Sequence, residues 1–283
     1  MYINTKSQEL MESSVLKYLN VGSQELADFF LWADKKATME NKSLDGDILN
    51  QVIDDFISLH SPENKIDQIL FFHLSRRLDD GKSLRYGKNL FELLTTENVL
   101  SKFLKENEVM FIPNKKRLEL YYKGSLISLE DREAKYVPYL RRRLGYSEGN
   151  EDYCFNGFAA KDGLYHTNYA RDLYHNPEFI GRLALFLKCK DIIPEYFKNS
   201  QYYCIEYCVP IDKVLFDVDD KMTKTQKERY LLKNVIQRLY EYCIQNSRRG
   251  ADHEKLILRL GEFDTMSEEY FMTSEIITSD MLK

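Results

Sequence analysis

Three separated stretches of this chain hold residue types that can do chemistry together. In LFFHLSRR (residues 70–77) an apolar run delivers His73, followed by Ser75, Arg76 and Arg77. In NGFAAKDGLYHTNYARDL (156–173), Gly157 and Phe158 precede a polar stretch, and Tyr169 follows Phe158 by eleven positions. Two rings placed this way could sandwich a flat heterocycle. In MSEEYFMTSEII (266–277), Glu268 and Glu269 are expected to open a terminal strand, whose alternation turns one carboxylate inward and the other outward. Each group also has a plainer use. His73 suits a hydrogen-bonded structural histidine, the rings suit a core, and the carboxylates suit a solvated strand edge.

These stretches need elements to position them. Before residue 60 the pattern is helical. Leu10, Val15, Leu16 and Leu19 share one face, Leu26, Phe29, Phe30 and Ala33 a second after a Ser23 cap, and Ile48, Val52, Phe56 and Ile57 a third after NKSLDGD. HSPENK, with Pro62, breaks this pattern and puts the boundary of an N-terminal helical region at residues 1–65. Beyond it, IDQILFFHLS and QYYCIEYCVPIDKVLFDV read as strands, as do EKLILRL and EEYFMTSEII at the end. LFELLTTENVLSKFLKEN, NPEFIGRLALFLKC and KTQKERYLLKNVIQRLYEYCIQ read as helices. EVMFIPNKKRLELYYKGSLISL predicts two or three short strands, part of an inserted strand-rich element at about 108–150. Strands and helices do not alternate regularly, so an α+β fold is favoured over a doubly wound sheet.

Composition narrows the class. Of 283 residues, 43% are hydrophobic and 13% aromatic, which calls for a packed core and excludes a disordered chain. No apolar run approaches the length of a membrane span, and mean hydropathy is −0.48. The N-terminus MYINTKSQELMESS has neither a basic region nor an apolar one, so a cytoplasmic protein without a membrane partner is expected. Five cysteines with no CxxC point to reduced thiols and no structural metal. GxxxxGKS/T, GxGxxG, HExxH and GxSxG are all missing, which removes the P-loop, dinucleotide-fold, zincin and hydrolase-elbow readings. The net charge of −5 is uneven: residues 1–65 and 151–283 are acidic and residues 66–150 basic. That layout could steer an anionic ligand toward the middle, although no region is basic enough to favour non-specific nucleic-acid binding.

Taken together and in order, the three stretches resemble the diphtheria-toxin and poly(ADP-ribose) polymerase branch of the ADP-ribosyltransferase superfamily. FFHLSR looks like its strand ending in a His-Gly-Ser type motif. GFAAKDGLYHTNYA looks like its Gly-x-Tyr-Phe-Ala segment, with a second Tyr eleven residues on in an Asn-Tyr pair. EEYFMTSEI looks like its closing Glu-Tyr strand, and CIEYCVPIDKVLFDV like the strand between the second and third motifs. Leu74 stands where the family has Gly, and Phe158 where it has the first Tyr. The resemblance spans residues 67–283 at most, in about four short stretches.

The resemblance implies a split mixed or antiparallel sheet core and NAD as substrate, with no metal. The nicotinamide–ribose bond breaks, and ADP-ribose passes to a macromolecular acceptor, protein or nucleic acid, as in a toxin or modifying factor. Glu269 would bind the ribose 2′-hydroxyl and stabilise the oxocarbenium-like sugar, with Glu268 as the alternative. His73 would hold the adenosine ribose, and Phe158 and Tyr169 would stack on nicotinamide. Leu74 would offer its backbone, and Ser75 its hydroxyl, to the nicotinamide amide. Gly157 belongs to the same cradle, and Arg76 or Arg77 would pair with the pyrophosphate. The N-terminal helices could cap the pocket, bind an inhibitor or mediate oligomer contact. Two other readings stay open: an inactive nucleotide-binding module, and a nucleic-acid-directed module using Lys115, Lys116, Arg117, Arg141, Arg142 and Arg143 with Tyr121 and Tyr122.

Overall fold

The computed structural model describes residues 1–40, 43–60, 64–78, 82–147, 149, 151–245 and 256–283. Pro62, the expected break, lies outside them, as do Asn41 and Lys42 of NKSLDGD and the first two residues of EKLILRL. In chain order the elements are α1 (Gln8–Leu19), α2 (Ser23–Ala37), α3 (Gly46–Leu59), β1 (Gln68–Arg77), α4 (Leu90–Thr95), α5 (Val99–Glu106), β2 (Val109–Asn114), β3 (Arg117–Tyr122), β4 (Ser125–Leu126) and α6 (Val137–Arg143). Then follow β5 (Asn156–Phe158), α7 (Asn168–His175), α8 (Glu178–Leu187), α9 (Ile192–Lys198), β6 (Gln201–Pro210), β7 (Leu215–Phe216), α10 (Lys224–Gln245), β8 (Ile257–Arg259) and β9 (Phe271–Ile276). The mixture of helices with antiparallel strand pairs is of the α+β kind.

The chain forms two compact units that interleave along the sequence. One holds residues 1–71, 158–163 and 208–257, the other residues 72–157, 164–207 and 258–283. In the first unit the three N-terminal helices pack with α10. Helix α2 starts at a Gly22 cap rather than at Ser23, with the Glu25 carboxylate accepting from the Gly22 N–H at 3.4 Å. Its buried stripe is Leu26, Phe29, Phe30, Ala33 and Ala37. Phe29 stacks on Phe56 of α3 with centroids 4.0 Å apart, and Phe30 meets Tyr240 of α10 edge-on. Helix α1 is rotated from the expected face. Met11, Val15, Tyr18 and Leu19 are buried and Leu10 is exposed, because Tyr18 turns inward and donates its hydroxyl to Glu228. In α3, Leu49 and Ile53 join the buried face and Ile48 lies outside it.

In the second unit β2, β3 and β4 form an antiparallel meander. Val109, Phe111, Leu118 and Leu120 point into a core shared with residues of α5, α6, α8 and α9, while Met110 and Ile112 point out. The strand order of the larger sheet is β7-β8-β5-β1-β6-β9. β9 pairs antiparallel with β6, and a bulge brings Phe271 opposite Tyr207. The long strand expected over 201–218 ends at Pro210, which cannot donate to a ladder, and resumes only as β7.

Two local features depart from expectation. Helix α7 arises within the polar stretch after Phe158. It is capped by Thr167, whose hydroxyl accepts from Ala170 N, and buries only Ala170. Glu268 and Glu269 do not open the terminal strand. They lie in a single 3-10 turn before β9, closed by Tyr270 N–H donating to Ser267 C=O at 3.2 Å, so strand alternation does not separate them.

Candidate functional site

Within the second unit β1 presents two faces by simple alternation. His73, Ser75 and Arg77 occupy one, and Phe72, Leu74 and Arg76 the other. His73 is tightly specified. Its Nδ1 lies 2.7 Å from the Asn156 carbonyl, which can only accept, so Nδ1 carries the proton and Nε2 keeps its lone pair. The imidazole stacks on Phe155 with centroids 4.1 Å apart. Burial, together with the Arg77 charge, holds this imidazole down at about 3, against the opposing effect of the Asn156 bond. His73 is therefore a neutral ring with an acceptor nitrogen at physiological pH.

Phe155 connects His73 to the acidic turn. A Cβ built on Gly87 would come within 2.2 Å of the Phe155 ring, so the chain at residue 87 lies directly on that ring and requires glycine. Gly87 and Met266 exchange both backbone hydrogen bonds, at 3.0 and 2.8 Å. Met266 lies two residues before Glu268. Phe155 also meets Tyr207 edge-on, and Tyr207 meets Phe271, the first residue after the turn. His73 and the Glu268–Glu269 turn thus share one side of the sheet, separated by Phe155 and the Gly87–Met266 bridge.

Cations line the same side. Arg85 pairs with Glu268 at 2.9 Å and lies over the Phe271 ring at 5.6 Å. Among the described residues no ion pair holds Glu269, which is exposed. Arg77 donates to the Ser83 carbonyl at 2.7 Å and weakly to Ser75 Oγ at 3.3 Å. Tyr207, whose hydroxyl donates to the Leu84 carbonyl, fixes the segment that carries Arg85. Burial raises this phenol to about 12, so it stays a neutral donor.

The remaining expected residues lie elsewhere. Arg76 is neither a surface cation nor a pyrophosphate partner. It is buried, and its guanidinium donates to Ser200 Oγ and to the carbonyls of Tyr174, Phe197 and Ser200 at 2.8–3.1 Å. It also lies 4.0 Å from the Phe197 ring centroid. All of these partners are on the face opposite His73. Helix α7 packs on that opposite face too, through Tyr202 donating to the Ala170 carbonyl and Tyr174 meeting Tyr202 edge-on. Tyr169, at the start of α7 and 43% exposed, is therefore separated from His73 by the sheet. Leu74 is buried on the α7 side, so only its backbone is shared with the His73 face. Gly157 lies in β5 next to Asn156, the partner of His73, and belongs to the second unit, whereas Phe158 belongs to the first and is buried there.

Sequence reasoning passed over Arg85, Gly87, Phe155 and Tyr207. Arg85, Gly87 and Phe155 carry no local signal, since SLRYGKN and EDYCFN match no pattern of spacing, and Tyr207 lies unmarked within the expected strand over 201–218. Their importance comes from tertiary contact alone.

Compared with family models, with curated proteins and with solved structures, the chain finds no match. Among the described residues no cluster of His, Cys, Asp and Glu could hold a metal ion, and no helix is long and apolar enough to cross a membrane.

Proposed function

We propose that this chain is an NAD-dependent ADP-ribosyltransferase, with a sheet core of that superfamily's kind, acting as a toxin or modifying factor on a macromolecular acceptor. The observation that carries the reading is the placement of neutral His73 and the Glu268–Glu269 turn on one side of the sheet, joined through Phe155 and the Gly87–Met266 bridge.

In this reading the His73 Nε2 lone pair accepts from a ribose hydroxyl, and its neutrality keeps it from repelling the nicotinamide cation. Arg85 engages Glu268, which leaves Glu269 to bind the 2′-hydroxyl and to stabilise the positive charge that develops on the ribose. The C1′–N bond breaks with its electron pair leaving on nicotinamide. A nucleophile of the acceptor bonds to C1′ and loses its proton. Arg77 supplies positive charge toward the pyrophosphate. Tyr169 has no part in this arrangement, because α7 lies on the opposite face, and neither does Phe158, which is buried in the first unit. The direct test is nicotinamide release from NAD by the purified chain, with and without cell lysate as a source of acceptor.

A second reading is favoured by that separation of Tyr169 from His73. With the expected ring sandwich missing, the same site would bind a nucleotide without turning it over. Thermal stabilisation by NAD with no nicotinamide release would support this second reading over the first.

A further inference from the structure

We propose that the outward face of the β2–β3–β4 meander binds single-stranded nucleic acid. The inference stands apart from NAD chemistry and rests on a different part of the second unit. Register places Met110 opposite Tyr121 and Tyr121 opposite Leu126, so one row of apolar side chains crosses all three strands on the outward face. Met110, Ile112 and Leu126 are 38%, 43% and 56% exposed, while their strand neighbours Phe111, Leu118 and Leu120 are buried in the core. An aromatic ring and aliphatic side chains on one face of a sheet make a platform on which unpaired bases stack, whatever their sequence.

The charge around the row fits a polyanion. Residues 109–126 carry Lys115, Lys116, Arg117 and Lys123 against the single carboxylate Glu119. Both hairpin turns place a lysine in the left-handed region, Lys115 at φ 58° and Lys123 at φ 53°. This conformation favours Gly or Asn, and lysine there sets a cation at each end of β3. Arg117 is ordered over the Tyr146 ring at 5.2 Å. By contrast, Arg142 and Arg143 are both engaged by Asp152 at 2.8 Å, and Tyr122 packs against the core. The expected basic cluster of α6 therefore takes no part, and the hairpin cations carry the site. An acidic protein could answer the charge but would have no use for the row of exposed Met110 and Leu126 around the half-buried Tyr121 ring, so a strand of nucleotides fits better.

The test is fluorescence anisotropy of a labelled oligo-dT and a labelled oligo-U, each of about 12 nucleotides, with the full chain. Phosphate contacts by Lys115, Lys116 and Lys123, with Arg117 held over Tyr146, predict about a twentyfold loss of affinity between 50 and 200 mM salt. Lys115→Glu with Lys116→Glu should weaken binding at least tenfold and flatten the salt slope by about 1.4. Tyr121→Ala should weaken it by roughly 5- to 150-fold without changing that slope. Glu119→Gln, which removes the opposing charge, should tighten it. Circular dichroism and melting temperature of these surface variants should match the parent chain. Absence of binding at 50 mM salt overturns the proposal, as does binding that ignores all of these variants. Equal binding of poly-glutamate that does not depend on Tyr121 also overturns it, in favour of an acidic protein partner. Nicotinamide release by the lysine variants stays at the parent rate, so failure here is distinguishable from failure of the NAD reading.

Discussion

His73 titrates far from its ordinary range because burial and the Arg77 charge both oppose protonation. The sign of the consequence is fixed. The unfolded chain binds a proton at His73 below about 6.5, while the folded chain does so only near 3. Stability from this residue is therefore complete above about pH 6.5 and is lost as pH falls toward 3. His73→Phe keeps the stack on Phe155 and cannot titrate, so its melting temperature should fall less steeply between pH 7 and 4.5 than that of the parent. An equal slope in both proteins would show that the ring is not held neutral. Arg76, three residues on, has a different task. Its buried guanidinium satisfies three carbonyls and a hydroxyl, so Arg76→Ala, which leaves those acceptors unpaired, should cost roughly 1–3 kcal/mol in urea unfolding. Arg76→Lys should recover little, because an ammonium lacks the planar fork. The sequence singled out His73 and the acidic pair by type and spacing, yet it misread Arg76. A run of two arginines after a strand gives no sign of which one faces the core until the strand's faces are known.

Elements that bury a wide apolar stripe were legible, and those that bury little were not. Helix α2 shows the expected stripe, since four large or small apolar residues recur at helical spacing. Helix α7 has a single buried residue, Ala170, and its placement comes from contacts with Tyr202 and Arg76 that no local pattern encodes. The turn at Glu268 was expected as strand because Tyr-Phe-Met-Thr favours strands, but its first residues form a closed turn instead. Two element-level contacts can be tested. Gly87 lies against Phe155, so Gly87→Ala should displace the ring that supports His73. It should cost about 1–3 kcal/mol and lower nicotinamide release, measured by denaturation and by turnover at saturating NAD. In the first unit Asp54 of α3 bridges Arg229 and Lys233 of α10 at 2.8 and 2.7 Å. Burial alone would raise this carboxyl, but the bonds to Lys233 and Arg229 outweigh it and lower it. Its contribution is present above about pH 4 and disappears as pH falls further. Asp54→Asn should cost about 1 kcal/mol at pH 7 and progressively less as pH falls below about 4.

At the scale of the molecule the sequence indicated an α+β protein with a helical N-terminal region, because the change from helical to strand periodicity is visible along the chain. The interleaving of the two units was not visible, since residues 158–163 and 208–257 join the first unit through contacts distant in sequence. For the same reason Phe158 and Tyr169, close in the chain, end in different units. The functional reading depends on what the His73 face does to NAD. The decisive measurement is the rate of nicotinamide release by the parent chain, by Glu269→Gln and by Glu268→Gln, with folding checked by circular dichroism. A hundredfold or greater loss in Glu269→Gln, with Glu268→Gln retaining most of the activity, is the predicted result. No release by the folded parent chain in the presence of lysate, or equal release by Glu269→Gln, would contradict it.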